Sequence, residues 1–261
     1  MAAFIFAAQM INFPVAGGTS GHLLGGALAA IMLGPWAGML VMTAVIAVQG
    51  LLFQDGGLVV MGANILNMGL LTAAVGYGLY RSVIGSKLTS KLTVAGVAAW
   101  LSVMTGALAT SLQLWLSGTA HIGIVIPAML GVHALIGLGE ALITVAALGF
   151  ILRTRPDLLG EKSESAKGSR VWIFTGIAIT LIVVLLSPFA SVNPDGLNRV
   201  AMNLGFFQAA QLASGPLAGY KVPFLSSISA SKIVAGAIGV IVVLAIAVIT
   251  GRSLQNKKPN S

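Results

Sequence analysis

The chain contains no cysteine and very few charged residues. Without cysteine it can form neither a disulfide nor a thiolate metal site. Only 8% of its 261 residues are charged, whereas a soluble domain carries about 25%. Residues 1–80 contain a single charged side chain, Asp55. A chain this poor in charge cannot present a hydrated surface to water, and this excludes an ordinary soluble enzyme.

The sequence motifs of common enzymes are missing as well. There is no Walker A motif, no GxSxG nucleophile elbow and no dinucleotide-binding fingerprint. We therefore predict that the chain is not an enzyme and holds no prosthetic group. If its function is driven by ATP hydrolysis, another subunit must supply the ATPase.

Apolar residues make up most of the chain. They account for 57% of it, and the mean hydropathy is +0.99. Runs of this length and composition predict an all-α fold, a polytopic transmembrane helix bundle in the lipid bilayer. We expect about six spans in the first part of the chain and about two in the last. The longer apolar stretches are 35–53, 58–80, 92–117, 122–152, 171–189 and 232–250.

The basic residues report the orientation of the chain. Eleven of the 14 Lys and Arg residues lie in three segments, 81–91, 153–170 and 252–258. These segments follow even numbers of predicted spans, so the positive-inside rule places all three, including the C-terminus, in the cytoplasm of a plasma-membrane protein. The net charge of +8 therefore reflects topology, and we predict no nucleic-acid partner.

The first apolar segments are too short to cross a bilayer. Residues 21–33 would form a helix of about 20 Å, against a hydrocarbon core of about 30 Å. We therefore expect the preceding loop, 15–22, to dip inward from the outer surface, where irregular backbone must be covered by protein or line a cavity. Residues 1–14 are equally short, and we expect a further segment to precede them. Small residues at Gly26, Ala30 and Gly34 predict close helix approach.

Few polar side chains lie at membrane depth. His22 follows the dipping loop and is either a ligand to an ion or a helix-end histidine bonded to backbone. Ser20 and Asn64 are candidates to support its second ring nitrogen. His133 and Glu140 share one face of a helix, where a structural role is favoured over a proton relay, and we expect His133 to lie too deep to share an ion with His22.

Several motifs in the first 153 residues closely resemble the CbiM/NikM family. These are substrate-specificity components of energy-coupling-factor transporters for cobalt and nickel. The motifs occur in the family's order and cover about 1–153: FAAQMINFPV (6–15), GGTSGHLLGG (17–26), LGPW (33–36), GANILNMG (62–69) and GVHALIGLGEA (131–141).

The end of the chain is similar to a second module, the PDGLE domain, which is the counterpart of the small accessory subunit of these transporters. Its motif stands at residues 194–197, with Asn198 where glutamate is usual. We therefore divide the chain into a core (1–153), a cytoplasmic linker (154–170) and a PDGLE module (171–261). The substitution weakens any role assigned to that carboxylate.

The resemblance implies a function and a metal site. It implies the membrane-embedded binding subunit of an ATP-driven importer of Co²⁺ or Ni²⁺, working with a T component and two ATP-binding-cassette ATPases. His22 matches the family's loop ligand. The other ligands would come from an N-terminal Met-His segment, and this segment and the first helix behind it are not in the sequence. An ion-coupled secondary carrier using His133 and Glu140, or a membrane scaffold, are the alternatives.

Overall fold

The computed structural model describes residues 1–159, 171–207 and 215–255, and within these ranges the chain is mainly helical. Most of the predicted linker, residues 160–170, lies outside the described residues. Two short strands, β1 (Phe13–Val15) and β2 (Thr19–Gly21), pair antiparallel as a hairpin. The helices are α1 (Ala2–Gln9), α2 (Gly26–Leu33), α3 (Pro35–Val48), α4 (Met61–Asn64), α5 (Thr72–Tyr80), α6 (Leu88–Leu116), α7 (Ile122–Thr154), α8 (Val171–Leu186), α9 (Gly196–Leu204) and α10 (Ile228–Gln255).

Five helical segments in the described part of the chain are long and apolar enough to cross a membrane. They match five of the stretches predicted from the sequence, so the polytopic all-α bundle is confirmed. The stretch predicted at 58–80 is helical only from Met61 and changes to π-helical geometry over Ile65–Leu71. The five spanning segments are Pro35–Phe53, Leu88–Leu116, Ile122–Thr154, Trp172–Phe189 and Ile228–Ser253.

The bundle has two chemically different ends. We call one the loop end, because the turns at 54–60 and 117–121 lie there together with the segment between α8 and α10. Contacts across this end include the bond from the Tyr220 hydroxyl to the Asp55 carboxylate (2.8 Å). We call the other the basic end, because Arg81, Lys87 and Arg153 lie there, at or near the ends of α5, α6 and α7.

The base of the hairpin lies deep in the bundle, whereas its turn, Ala16–Gly18, is exposed. A Cβ added at Gly21 would lie 2.6 Å from the side chain of Ile136, and one added at Gly139 would lie 2.5 Å from the ring of Phe13. Ile136 and Gly139 are near the middle of α7, about 25 Å from its start. The inward dip expected for the loop before α2 is therefore found, although its hairpin form was not predicted.

Small residues pack α2 tightly between α3 and α5. A Cβ added at Gly38 would lie 2.6 Å from the Cα of Ala30, and one at Gly76 would lie 2.5 Å from the Cα of Ala27. Gly26 faces Thr72 at similarly close range. The close approach predicted at Gly26 and Ala30 is confirmed, since larger side chains here would force the helices apart. Gly34 has a different role, because its φ of +82° forms the turn into α3.

A pair of amides joins the π-helical segment to α6. Asn67 Nδ2 donates to Gln113 Oε1 (2.8 Å), and Gln113 Nε2 donates back to Asn67 Oδ1 (3.0 Å). Asn67 also donates to the Thr110 hydroxyl (3.0 Å). Lipid offers no hydrogen bonds, so this reciprocal pairing satisfies the polar groups that the two side chains bring into the bundle.

Helix α1 is enclosed by α3 and by α10, the last helix of the chain. Its residues Ile5 and Phe6 are fully buried in a cluster with Met42 and Val45 of α3 and Val243 of α10. The Phe6 ring lies against Gly239, where α10 has no side chain to separate the two helices. The C-terminal module therefore forms part of the apolar core around α1.

Candidate functional site

His22 lies in the irregular segment between β2 and α2. Its side chain is half-buried, and Nδ1 lies 3.0 Å from the carbonyl oxygen of Leu23. A protonated Nδ1 donates to that carbonyl, and this leaves the Nε2 lone pair available to an ion. The segment ends at Gly25, whose φ of +82° allows the chain to turn into α2.

Glu140 holds this segment from α7. The carboxylate is completely buried and accepts hydrogen bonds from the backbone amides of Leu24 (2.6 Å) and Gly25 (2.8 Å), one on each oxygen. Gly25 is the N-cap of α2 and Leu24 is the residue before it, so neither amide has a partner within the helix. A negative charge at this end also interacts favourably with the helix dipole. The structural role expected for Glu140 thus takes a definite form, an anchor for the segment that carries His22.

Gln9 of α1 holds the same segment from the opposite side. Its Nε2 donates to the carbonyl oxygen of Leu24 at 2.7 Å. Leu24 is therefore fixed through its amide by Glu140 and through its carbonyl by Gln9. Gln9 is itself 4% exposed, and its Oε1 has no hydrogen-bond partner among the described residues. Gln9 was not predicted from the sequence, where its only signal was a polar side chain in a mostly apolar segment.

His133 approaches a carbonyl of its own helix. Its Nδ1 is 2.8 Å from the Met129 carbonyl of the preceding helical turn. Gly21, the residue before His22, packs against Ile136, which is about one turn along α7 from His133. That His133 lies too deep to share an ion with His22 stays a prediction.

The C-terminal module covers this region from the loop end. Ser20 donates through its hydroxyl to the carbonyl of Asn193 (2.8 Å) and through its amide to the carbonyl of Pro194 (2.9 Å). Arg199 of α9 donates to the carbonyl of Gly18 in the hairpin turn. A Cβ added at Gly196 would lie 2.8 Å from Cε1 and 3.1 Å from Nε2 of His133. The PDGLE motif therefore packs directly against the His133 ring.

The residues proposed to support His22 have other partners. Ser20 binds the C-terminal module, as above. Asn64, the last residue of α4, lies beside Gly56, which is in the turn before that helix. Asn198, which replaces the usual glutamate, donates through its amide nitrogen to Asp195 Oδ2 (3.2 Å) while its backbone donates to Oδ1 (2.8 Å). A glutamate could not make the side-chain bond, since a carboxylate has no N–H to donate.

The described residues alone do not form a complete metal site. No group of three or more His, Cys, Asp or Glu side chains within them could hold an ion. Both oxygens of Glu140 are already occupied by backbone amides. His22 and His133 each approach a backbone carbonyl through Nδ1, which leaves Nε2 as the ligand atom of each ring, and imidazole nitrogen suits Ni²⁺ and Co²⁺. Of the two, His22 lies in the irregular segment that Glu140 and Gln9 hold.

Comparison with known proteins identifies two families in the chain. Residues 1–158 match the family described as the cobalt uptake substrate-specific transmembrane region, CbiM, and residues 169–256 match the PDGLE domain. A protein of Archaeoglobus fulgidus, named as a fused nickel transport protein NikMN, is 35% identical across 94% of this chain and 82% of its own length. The cobalt transport protein CbiM of Sorangium cellulosum is 34% identical across 61% of this chain and 73% of its own length.

A solved structure shares the fold over part of this chain. The crystal structure of a truncated transition metal transporter is 35% identical to this chain, with a TM-score of 0.51 over 58% of this chain and 77% of that one. The family match extends over more than half of the residues. The chain is a membrane-embedded, multi-pass member of the CbiM family of cobalt and nickel transport proteins, with a PDGLE domain fused behind it.

Proposed function

We propose that this protein is the substrate-binding membrane subunit of an ATP-driven importer of nickel or cobalt ions. His22 is the chain's own ligand to the ion, which arrives from the loop end. The core, residues 1–153, binds the ion, and the PDGLE module, residues 171–261, covers the site. A T component and two ATP-binding-cassette ATPases supply the energy, in keeping with the lack of a Walker A motif in the chain.

The observation that carries the proposal is that two side chains fix Leu24: Glu140 accepts a bond from its amide, and Gln9 donates one to its carbonyl. A backbone segment inside a membrane protein needs partners for its polar groups, and here two buried side chains from distant helices supply them. This arrangement fixes an irregular turn at depth, with His22 two residues before the anchored peptide. A binding site needs its ligands held in place before the ion arrives, because ordering a loop on binding lowers affinity.

The orientation is part of the proposal. The basic end faces the cytoplasm because Lys and Arg accumulate on the cytoplasmic side of membrane proteins. A cysteine introduced at Ser86 should then be shielded from an impermeant thiol reagent in intact cells, and one at Ser226 should react. Labelling at Ser86 in sealed cells would reverse the orientation.

The secondary-carrier alternative receives less support from the geometry. A proton relay needs a carboxylate that can exchange its proton, whereas both oxygens of Glu140 accept backbone bonds at 2.6 and 2.8 Å. A carrier would also work without an ATPase. Metal uptake that persists after disruption of the neighbouring ATPase and T-component genes would favour it.

Uptake of radioactive nickel or cobalt tests the proposal. In cells that express the protein from its own chromosomal gene, His22→Ala should abolish accumulation while the amount of protein in the membrane stays unchanged. The matched control is His121→Ala, because His121 is an exposed histidine just before α7 whose ring accepts a bond from the nearby Gly123 amide. Equal loss in both variants, or full uptake by His22→Ala, would contradict the assignment.

A further inference from the structure

A groove runs along the outside of α6 and α7 at the basic end. It consists of two adjoining cavities of ≈ 330 and ≈ 450 Å³. Leu92, Val145 and Arg153 line both cavities. None of its lining residues belongs to the site described above.

Two glycines create the groove. A Cβ added at Gly96 would lie 3.1 Å from Val145, and one added at Gly149 would lie 3.7 Å from Leu92. Helices α6 and α7 therefore approach closely at these glycines, and the absence of side chains there leaves the groove along their contact. Its walls are mostly apolar, and they include Phe150, which is 44% exposed.

Polar groups gather only at the mouth of the groove. Arg153 is exposed there, with Thr89 and Thr93 on the facing helix. Within the described part of the chain, Arg153 makes no hydrogen bond or salt bridge. Its neighbour Arg155, by contrast, is paired with Asp157 at 2.7 Å. The guanidinium of Arg153 thus remains available to an anion.

The length of α7 places this mouth at the level of the lipid headgroups. Its 33 residues span about 50 Å, well beyond the hydrocarbon thickness of about 30 Å. Arg153 is in the last turn of the helix, so its charge reaches the interface, while Val145, about 12 Å further from the helix end, lies at acyl-chain depth.

We propose that this groove binds one anionic phospholipid. The lipid phosphate pairs with Arg153, with the threonine hydroxyls close by, and one acyl chain lies along Leu92, Gly149 and Phe150. Basic pockets between transmembrane helices select anionic headgroups in this way. A free phosphate ion would leave the apolar walls uncovered, whereas a phospholipid satisfies the charge and the walls together.

Retention of lipid by the purified full-length protein tests the proposal. The protein is exchanged into detergent with phosphatidylglycerol or phosphatidylcholine, and bound lipid is counted by native mass spectrometry. Wild type should keep one phosphatidylglycerol more tightly than phosphatidylcholine. Arg153→Gln should lower that affinity about fivefold, the effect expected for one basic residue at an anionic headgroup. Arg252→Gln, at the basic end of α10 outside the groove, is the control and should retain the lipid.

A second variant tests the acyl-chain part independently. Ala146 is exposed and lines the larger cavity, so Ala146→Phe should fill the groove without disturbing the core. It should lower phosphatidylglycerol retention with Arg153 intact. Equal retention of both lipids by wild type, unchanged retention by Ala146→Phe, or displacement of the lipid by soluble glycerol phosphate would each overturn the proposal.

Discussion

Replacing Glu140 by glutamine tests how the His22 segment is held. The carboxylate accepts one backbone amide on each oxygen, from Leu24 at 2.6 Å and from Gly25 at 2.8 Å. Glutamine has nearly the same shape but offers one acceptor oxygen and one NH₂ group. One of the two amides would then face a donor, and its own N–H would be left without a partner in a fully buried position.

The size of the effect follows from these bonds. A buried donor without an acceptor costs about 1–3 kcal/mol, and the surviving bond loses its charge-assisted part, about 1 kcal/mol. Removing a buried charge offsets some of this loss. We expect Glu140→Gln to lower the free energy of unfolding by about 2 kcal/mol. Glu140→Ala should lower it by about 4 kcal/mol, since it removes both acceptors and leaves a cavity.

The assay is unfolding of the purified protein by SDS in mixed micelles, together with metal uptake in cells. The control is Thr144→Val, one helical turn further along α7. The Thr144 hydroxyl is buried and has no hydrogen-bond partner within the described residues, so replacing it with a methyl of similar size should not destabilise the protein. The reasoning is refuted if Glu140→Gln matches wild type in both assays, or if Thr144→Val is the more damaging change.

Three further predictions concern other contacts. Gly196→Ala should lower the free energy of unfolding by about 1–3 kcal/mol and impair metal uptake, because its Cβ would press on the His133 ring. The control is Gly176→Ala in α8, which has open space around it; it should leave uptake unchanged and should not lower the free energy of unfolding, since alanine favours a helix interior. Asn67→Leu should destabilise more than the double variant with Gln113→Leu, because the single change leaves an unpaired buried amide; additive losses in the unfolding assay would contradict this. Burial raises the pKa of the Tyr220 hydroxyl, which donates to Asp55. The stabilisation that the neutral hydroxyl gives the folded protein is therefore complete below about pH 10, the unfolded value, and is lost as pH rises through the higher folded pKa. Tyr220→Phe should remove this alkaline step from the pH dependence of unfolding.

The membrane spans could be predicted from the sequence because length and hydropathy determine them directly. Residues 35–53 and 122–152 are apolar throughout, and few structures other than a spanning helix accommodate such runs. The inward dip before α2 was also predictable, since 13 residues cannot cross a bilayer. These properties are local, and each follows from one stretch of chain.

The partners within the site could not be predicted in the same way. Glu140 and Leu24 are 116 residues apart, and Gln9 lies on a third helix. Polarity at membrane depth identified Glu140 as structurally important, but only the packing of α1, α2 and α7 reveals the atoms that it binds. Ser20 was assigned to His22 from its proximity in sequence, whereas strand geometry turns it toward Asn193.

The depth of His22 could not be derived from the sequence. His22 follows an irregular loop, so the rise along α7 does not give its depth relative to His133. In the structure Gly21, the residue before His22, packs against Ile136 near the middle of α7. A depth derived from helix length is reliable only for residues on continuous helices.

The most direct test of the account is whether His22 binds the transported ion through its imidazole. Cu²⁺, a divalent ion that also prefers nitrogen ligands, can be loaded into the purified protein expressed from its own gene. The electron spin-echo modulation of a coordinated imidazole's remote nitrogen should appear in wild type and in His133→Ala and should be absent in His22→Ala. Unchanged modulation in His22→Ala, or its loss only in His133→Ala, would contradict the account.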